Sequence, residues 1–223
     1  MTEAEQFQVQ RDNIRRRLCM YTRKAFLTLP PIKKPRILDI GCGSGVSTLE
    51  LAELTKGEIT GIDIDQSALN RFNTYKEEAG LPDRVRAVYC SMYDMDFPDG
   101  SFDIIWSEGS IYAIGFEKGL REWKNFLKPG GYMVIHDEEG DVSKKLKQIT
   151  SCGYEILDHF ILDIETWWDE YFSPLEQLII KYRTRHPNDL TILEELQQTQ
   201  KELDTFKRYP EHNSSACFII KKK

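Results

Sequence analysis

The chain predicts an α/β fold in three layers, with helices on both faces of a mostly parallel sheet. Three observations carry that expectation. Short apolar, β-branched runs alternate with amphipathic segments through the middle of the sequence. One such run, Ile37-Leu38-Asp39-Ile40, meets the alternate glycines Gly41, Gly43 and Gly45, and a helical pattern (Val46, Leu49, Leu51, Ala52, Leu54) begins at once. A further run, Ile62-Asp63, ends in acid about 20 residues after the first glycine, the spacing of a second parallel strand lying beside the first.

In chain order, Phe7, Ile14, Leu18, Tyr21 and Ala25 form one apolar stripe that predicts a single helix over 3–28. Arg11, Arg15, Arg16, Arg17, Arg23 and Lys24 make that helix basic, and Pro30, Pro31 and Pro35 end it. Residues 1–30 are therefore expected as an N-terminal helical cap and 31–223 as the ligand-binding domain. Strands are expected near 36–40, 58–63, 84–90, 102–107 and 132–137, with helices near 45–55, 66–79 and 115–127. A helix over 142–152, a sixth strand over 154–163 and a seventh at 216–220 follow. The interval before the seventh strand, about 165–212, is expected to hold a helical insertion. Within it, Ser173-Pro174-Leu175-Glu176 reads as a capping box with proline at the first helical position, leading into Leu178, Ile179 and Tyr182. A second helix, 189–209, carries Leu193, Leu196, Leu203 and Phe206. These helices are expected to form a lid over the strand ends, or to pair in a homodimer.

The glycine-rich turn can take backbone angles that a side chain forbids and can approach a ligand closely. The helix that follows offers unpaired N–H groups and the positive end of its dipole, which favour an anionic group. Asp63, ending the neighbouring strand, is placed to accept hydrogen bonds from ribose hydroxyls, whereas Asp65 suits the start of the next helix. The glycine spacing differs from the dinucleotide fingerprint, because the third glycine comes one place early.

Read as D-x-G-x-G-x-G, Asp39 to Gly45 resembles the first motif of class I S-adenosylmethionine-dependent methyltransferases. Three further pieces match that family in order: Ile62-Asp63, Phe97-Pro98-Asp99-Gly100-Ser101-Phe102-Asp103 and Leu127-Lys128-Pro129-Gly130-Gly131. The texture is similar to the small-molecule, quinone-biosynthesis-like branch. The resemblance implies a Rossmann-like α/β/α sandwich whose seven-stranded sheet ends in an antiparallel strand. It also implies S-adenosyl-L-methionine as cofactor, S-adenosyl-L-homocysteine as product and no metal. The cofactor residues it implies are Asp39, Gly41, Cys42, Gly43, Gly45, Asp63, Ile64, Ser91, Met92 and Ser107. Ser91 departs from the family, which often has an acid there for the adenine amino group. Ser91 still offers a hydroxyl, and Met92 a soft side chain for the adenine face.

The acceptor side is expected at the ends of the fourth and fifth strands. Glu108 either orients or deprotonates the acceptor, or caps the next helix, and Tyr112 would form a wall. His136, followed by Asp137, Glu138 and Glu139, is either a base or a structural strand-end histidine. Trp167, Trp168 and Tyr171 either pack a core or line a pocket for a cationic acceptor.

Composition narrows the partners. The 223 residues carry a net charge of −6 with a pI near 5.4, which argues against general affinity for nucleic acid. The five cysteines are odd in number and scattered, so reduced thiols in the cytoplasm are expected. No apolar run suits a membrane span, and residues 1–10 are too polar for a signal peptide. The expected function is methyl transfer to a small molecule, with an amine favoured, by in-line displacement. The alternatives are an RNA or protein methyltransferase gripping through the arginine-rich helix, a nicotinamide-dependent oxidoreductase, and a non-catalytic S-adenosylmethionine-binding partner.

Overall fold

Ile37, Leu38 and Ile40 are fully buried because strand β1 (Arg36–Ile40) lies inside a seven-stranded sheet. The other strands are β2 (Glu58–Asp63), β3 (Val85–Tyr89), β4 (Phe102–Glu108), β5 (Leu127–Glu138), β6 (Tyr154–Leu162) and β7 (Ser215–Lys222). Their order across the sheet is β3-β2-β1-β4-β5-β7-β6. β1 pairs in parallel with β2 and β4, β2 with β3, and β4 with β5, whereas β7 runs antiparallel to β5. Strand order therefore reverses between β1 and β4, the place where sheets of this kind open a crevice at their carboxyl ends.

The computed structural model describes residues 1–210 and 213–223, and the chain divides into two units. The sheet unit comprises Met20–Ile161 and Ser215–Lys223, and the helical unit Met1–Cys19 and Leu162–Ser214. The helices in chain order are α1 (Glu3–Arg15), α2 (Cys19–Thr28), α3 (Val46–Leu54), α4 (Gln66–Glu78), α5 (Phe116–Trp123), α6 (Val142–Ser151), α7 (Ile164–Trp167), α8 (Ser173–Arg185) and α9 (Leu190–Arg208).

One layer of the sheet unit's core joins Leu38, Ile40 and Ile105 to Leu120 and Trp123 of α5 and Ile149 of α6. The buried Tyr154 hydroxyl is satisfied by the Leu120 carbonyl at 2.9 Å. At the far end of α3, where carbonyls lack helical partners, Arg84 donates to the carbonyls of Ala52, Thr55 and Gly57 at 2.9–3.0 Å.

The helical unit has its own core of Phe7, Tyr171, Phe172, Leu175, Ile179, Ile192, Leu196, Leu203 and Phe206. The stripe on α9 is thus consumed within this core, where Leu193 also packs. The single N-terminal helix expected over 3–28 is instead two helices joined by a 3-10 turn at Arg16–Leu18. The turn lies where the chain leaves one core for the other: Phe7, Ile14 and Leu18 pack in the helical unit, while Ala25 is buried in the sheet unit.

The capping box at Ser173 is also corrected. The helical run starts earlier, capped by the Asp163 side chain on the Thr166 N–H, and continues through a π-helical stretch, Trp168–Phe172, into α8. Pro174 lacks an N–H to donate back along the helix, and the widened turn sits just before it. The expected insertion ends at 211–212, outside the described residues. No helix among the described residues is long and apolar enough to cross a membrane.

Candidate active site

After β1 the chain turns on three glycines with positive φ: Gly41 (77°), Gly43 (53°) and Gly45 (78°). Two of them are demanded by packing. A Cβ on Gly41 would lie 2.3 Å from Ser110 Cβ, and one on Gly45 would lie 2.2 Å from the Phe72 ring. A Cβ on Gly43 would meet nothing within 4 Å, so there the turn presents bare backbone to open space. The N–H groups of Gly41 and Cys42 both reach the Ile62 carbonyl, at 2.9 and 3.0 Å, which ties the turn to the end of β2.

Asp63 completes that tie. One carboxylate oxygen accepts the Gly43 N–H at 2.8 Å, and the other accepts the Asp65 N–H at 2.9 Å. Each oxygen keeps a second acceptor direction. Asp65 caps α4 through the N–H groups of Ser67 and Ala68, as the sequence suggested.

A cavity of about 290 Å³ opens at this rim, lined by residues that include Gly41, Asp63, Ile64, Ser91, Met92 and Tyr112. Five of the ten cofactor residues expected from sequence line it, together with the expected wall residue Tyr112. Ile64 and Tyr112 are 63% and 67% exposed, large apolar surface for which a packed core gives no reason. The Ser91 hydroxyl accepts from the Tyr93 N–H at 3.2 Å, which leaves its own proton to donate. Tyr93, which the sequence did not single out, closes one wall by donating to the Ala113 carbonyl at 2.6 Å.

Other expected site residues serve as supports around the cavity. Ser107 is fully buried; its hydroxyl meets Ser110 Oγ at 2.7 Å, and Ser110 in turn donates to the Ile40 carbonyl at 2.5 Å. This chain clamps the ends of β1 and β4 at the point where strand order reverses. Cys42 packs against Gly61, and burial, then the charges of Asp39 and Asp63, push its thiol up, out of reactive range. Asp39 is buried and accepts the Thr48 hydroxyl at 2.5 Å. Burial foremost pushes its carboxyl up to about 7; the Thr48 hydrogen bond opposes this, and the charges of Glu108 and Asp63 add to it.

On the sheet face that carries Asp39, the Glu108 carboxylate gathers three donors. Oε1 accepts from Thr22 of α2 at 2.8 Å and from the Trp106 indole at 2.7 Å, and Oε2 accepts from Ser47 of α3 at 2.7 Å. Glu108 is therefore not the cap of the next helix. Its register partner across β4 and β5 is His136, so the two side chains share a face. The ring Nε2 of His136 pairs with Ser215 Oγ at 2.7 Å. The acid that follows, Asp137, pairs with the buried Lys145 at 2.7 Å.

Trp167, Trp168 and Tyr171 are brought together in the helical unit's core. Tyr171 is buried, accepts from Arg11 Nε at 2.9 Å and lies beside Glu202, while Trp168 stacks on Phe206 with ring centroids 6.1 Å apart. Three of the six basic residues in the N-terminal segment are ion-paired: Arg11 with Glu202, Arg17 with Glu170 and Arg23 with Glu50.

Comparison with known proteins bears on this geometry. Residues 37–131, which hold the turn, Asp63 and the cavity wall, match the family model described as a methyltransferase domain. That match covers a little under half of the chain. A sterol 24-C-methyltransferase of Gibberella zeae is 33% identical over 103 residues, which is 46% of this chain and 27% of that protein. The 27-O-demethylrifamycin SV methyltransferase of Amycolatopsis mediterranei is 32% identical over 110 residues, 49% of this chain and 40% of that one. The chain thus spans well under half the length of these curated relatives. The fold extends further than the sequence match. A SAM-dependent methyltransferase from Geobacter sulfurreducens, solved with S-adenosyl-L-homocysteine, superposes with a TM-score of 0.75 at 19% identity, over 91% of this chain and 90% of that one.

Proposed function

We propose that this protein is an S-adenosylmethionine-dependent methyltransferase with a small-molecule acceptor, and that the acceptor presents an amine or another polar group near Glu108. The observation that carries the reading is Asp63, fixed by two amides at the mouth of the cavity with an acceptor direction left on each oxygen. A vicinal diol fits such a carboxylate. The open backbone at Gly43 and the exposed apolar surface of Ile64 and Tyr112 fit the remainder of a nucleoside with a charged tail. The relatives' names, a sterol and a rifamycin methyltransferase, favour a small-molecule acceptor.

Bound S-adenosylmethionine supplies an electrophilic methyl group on its sulfonium, open to direct displacement by a nucleophile. The residues of this chain have then only to bind and orient. Asp63 would hold the ribose, Ile64 and Met92 would flank the adenine, and Ser91 would offer it a hydroxyl. The bare backbone of the Gly43 turn would lie against the amino-acid tail. Glu108, immobilised by three donors, would anchor the acceptor's polar end. Holding the reactants in line is itself worth roughly 7–11 kcal/mol of barrier.

The test is to incubate the protein with S-adenosylmethionine and fractionated metabolite pools, following S-adenosylhomocysteine release and the mass of the product. Release that depends on one low-molecular-weight fraction supports the reading. Tight cofactor binding with no release from any fraction would make the protein a non-catalytic binder. The pairing of Arg11, Arg17 and Arg23 with carboxylates weighs against a nucleic-acid grip. Product formation from RNA, with a steep salt dependence, would reverse that judgement.

A further inference from the structure

Asp63 ends β2, between the glycine turn that follows β1 and the loop that follows β3. Its carboxylate takes the Gly43 N–H at 2.8 Å, and its carbonyl takes the Cys90 N–H at 3.0 Å. A ribose held there has the turn on one side and the β3 loop on the other. With the tail against the bare backbone at Gly43, the base falls to Cys90, Ser91 and Met92, which line the same cavity.

Much of the hydrogen-bonding capacity at that end is already engaged. The Ser91 carbonyl accepts the Asp94 N–H at 3.1 Å and the Cys90 thiol at 3.5 Å. The Ala113 carbonyl accepts the Tyr93 phenol at 2.6 Å, a bond that straps the β3 loop to the 3-10 turn after β4 and closes one wall of the cavity. Ser110, the second serine of the lining, is engaged with Ser107 and the Ile40 carbonyl. The Ser91 hydroxyl oxygen accepts the Tyr93 N–H at 3.2 Å, so Tyr93 orients that hydroxyl with its proton left to give. Among the described residues that line the cavity, Asp63 supplies the one carboxylate.

Along one edge, adenine presents a ring nitrogen that accepts and an exocyclic amine that donates. A hydroxyl donor suits the ring nitrogen. The amine calls for an acceptor, and the cavity's carboxylate is taken up at the ribose.

We infer that Ser91, oriented by Tyr93, is a specificity-determining residue that donates to the ring nitrogen of the base, and that the exocyclic amine adds little to binding. The inference rests on the methyl-donor reading and states which part of the base that site recognises. A site built to bond the amine would strongly reject a base lacking it, because the site's own buried acceptor would be left unpaired. Here the wall offers the amine no charged partner, so a base without it should be accepted.

Calorimetry of the full chain compares S-adenosylhomocysteine with the counterpart in which hydrogen replaces the amine of the base; ring nitrogen, ribose and tail are unchanged. In the native chain the two affinities should agree within about fivefold. Ser91→Ala should weaken both by the same factor, about two- to tenfold. Ser91→Asp brings an anionic acceptor to that place and should raise the preference for S-adenosylhomocysteine by about tenfold or more. Ser91 is half-buried in a loop, so these variants should fold, and Ser91→Thr, which keeps the hydroxyl, should bind both ligands as the native chain does. Three results would each overturn the inference and leave the donor site intact. They are a native preference for the amine above fivefold, native-like binding of both ligands by Ser91→Ala, and a preference unmoved in Ser91→Asp. Failure of the native chain to bind either ligand would instead overturn the donor assignment, and this inference with it.

Discussion

The Gly43 amide donates to the Asp63 carboxylate over 2.8 Å, so the turn after β1 and the acid ending β2 act as one device. The bond fixes both partners before any ligand arrives. A preset carboxylate loses little entropy on binding, so ordering costs offset less of the contact energy.

Asp63→Ala is therefore expected to weaken S-adenosylmethionine binding by about 1–3 kcal/mol, through lost hydrogen bonds to a charged acceptor and a loosened turn. Asp63→Asn should lose less, since its amide oxygen can still accept from Gly43. Calorimetric titration of both variants checks the order. Equal affinity of Asp63→Ala and the native chain would remove Asp63 from the site.

The glycines of the turn should separate into two kinds. Gly45→Ala drives a Cβ into the Phe72 ring at 2.2 Å at a φ of 78°, which combines overpacking with backbone strain. Its expected cost is about 2–4 kcal/mol of folding stability. Gly43→Ala carries the strain of a φ of 53° without any clash, so about 1 kcal/mol of stability is expected to go. The methyl group would, however, enter the space proposed for the cofactor. Denaturant unfolding and cofactor titration together should find Gly45→Ala mainly unstable and Gly43→Ala mainly unable to bind.

What the sequence made legible follows the same division. Glycine angles, the Asp65 cap and the acid ending β2 depend on neighbours within a few residues, so the turn and Asp63 could be read directly, whereas Ile64, Ser91 and Met92 were reached through the family resemblance. The supports could not. Thr22 reaches Glu108 across 86 positions and Ser47 across 61, and nothing local in either residue announces the partner. Ser107 looked like a rim residue because strand ends point at the ligand, but its face of the strand turns inward to Ser110. Trp167, Trp168 and Tyr171 were ambiguous for a different reason. An aromatic run suits a core and a cation pocket equally well, and only the packing on Phe206 and Phe172 shows which surfaces these rings cover. The capping pattern at Ser173 was locally sound and lost to a helix already under way.

Glu108 invites a paired test, because its donors distinguish charge from shape. In Glu108→Gln, the amide oxygen can occupy the Oε1 position and keep the bonds from Thr22 and Trp106, while the amide nitrogen donates to Ser47, whose hydroxyl can turn to accept. The fold should keep its stability to within about 1 kcal/mol, while turnover with the identified acceptor falls. Glu108→Ala leaves the Trp106 indole N–H without its acceptor and should cost about 1–3 kcal/mol of stability as well. Turnover unchanged in the Gln variant would leave Glu108 as a strut between α2, α3 and β4.

Asp39 predicts a pH dependence of stability whose sign is opposite to that of an ion-paired acid. Its folded pKa, about 7, lies above the ordinary value of 3.8, so between those limits the folded state holds a proton that the unfolded state has released. Stability from this group is then fully present below about pH 4 and is lost progressively as the pH rises to 7, beyond which the loss is constant. Asp39→Asn keeps an oxygen for the Thr48 hydroxyl and never ionises. The variant should be more stable than the native chain at about pH 8, by up to about 4 kcal/mol, and no more stable at about pH 4. Urea unfolding of both proteins across that range measures the difference directly. A difference that does not grow with pH would mean that the Asp39 carboxyl is already ionised in the folded ground state, compensated by a neighbour.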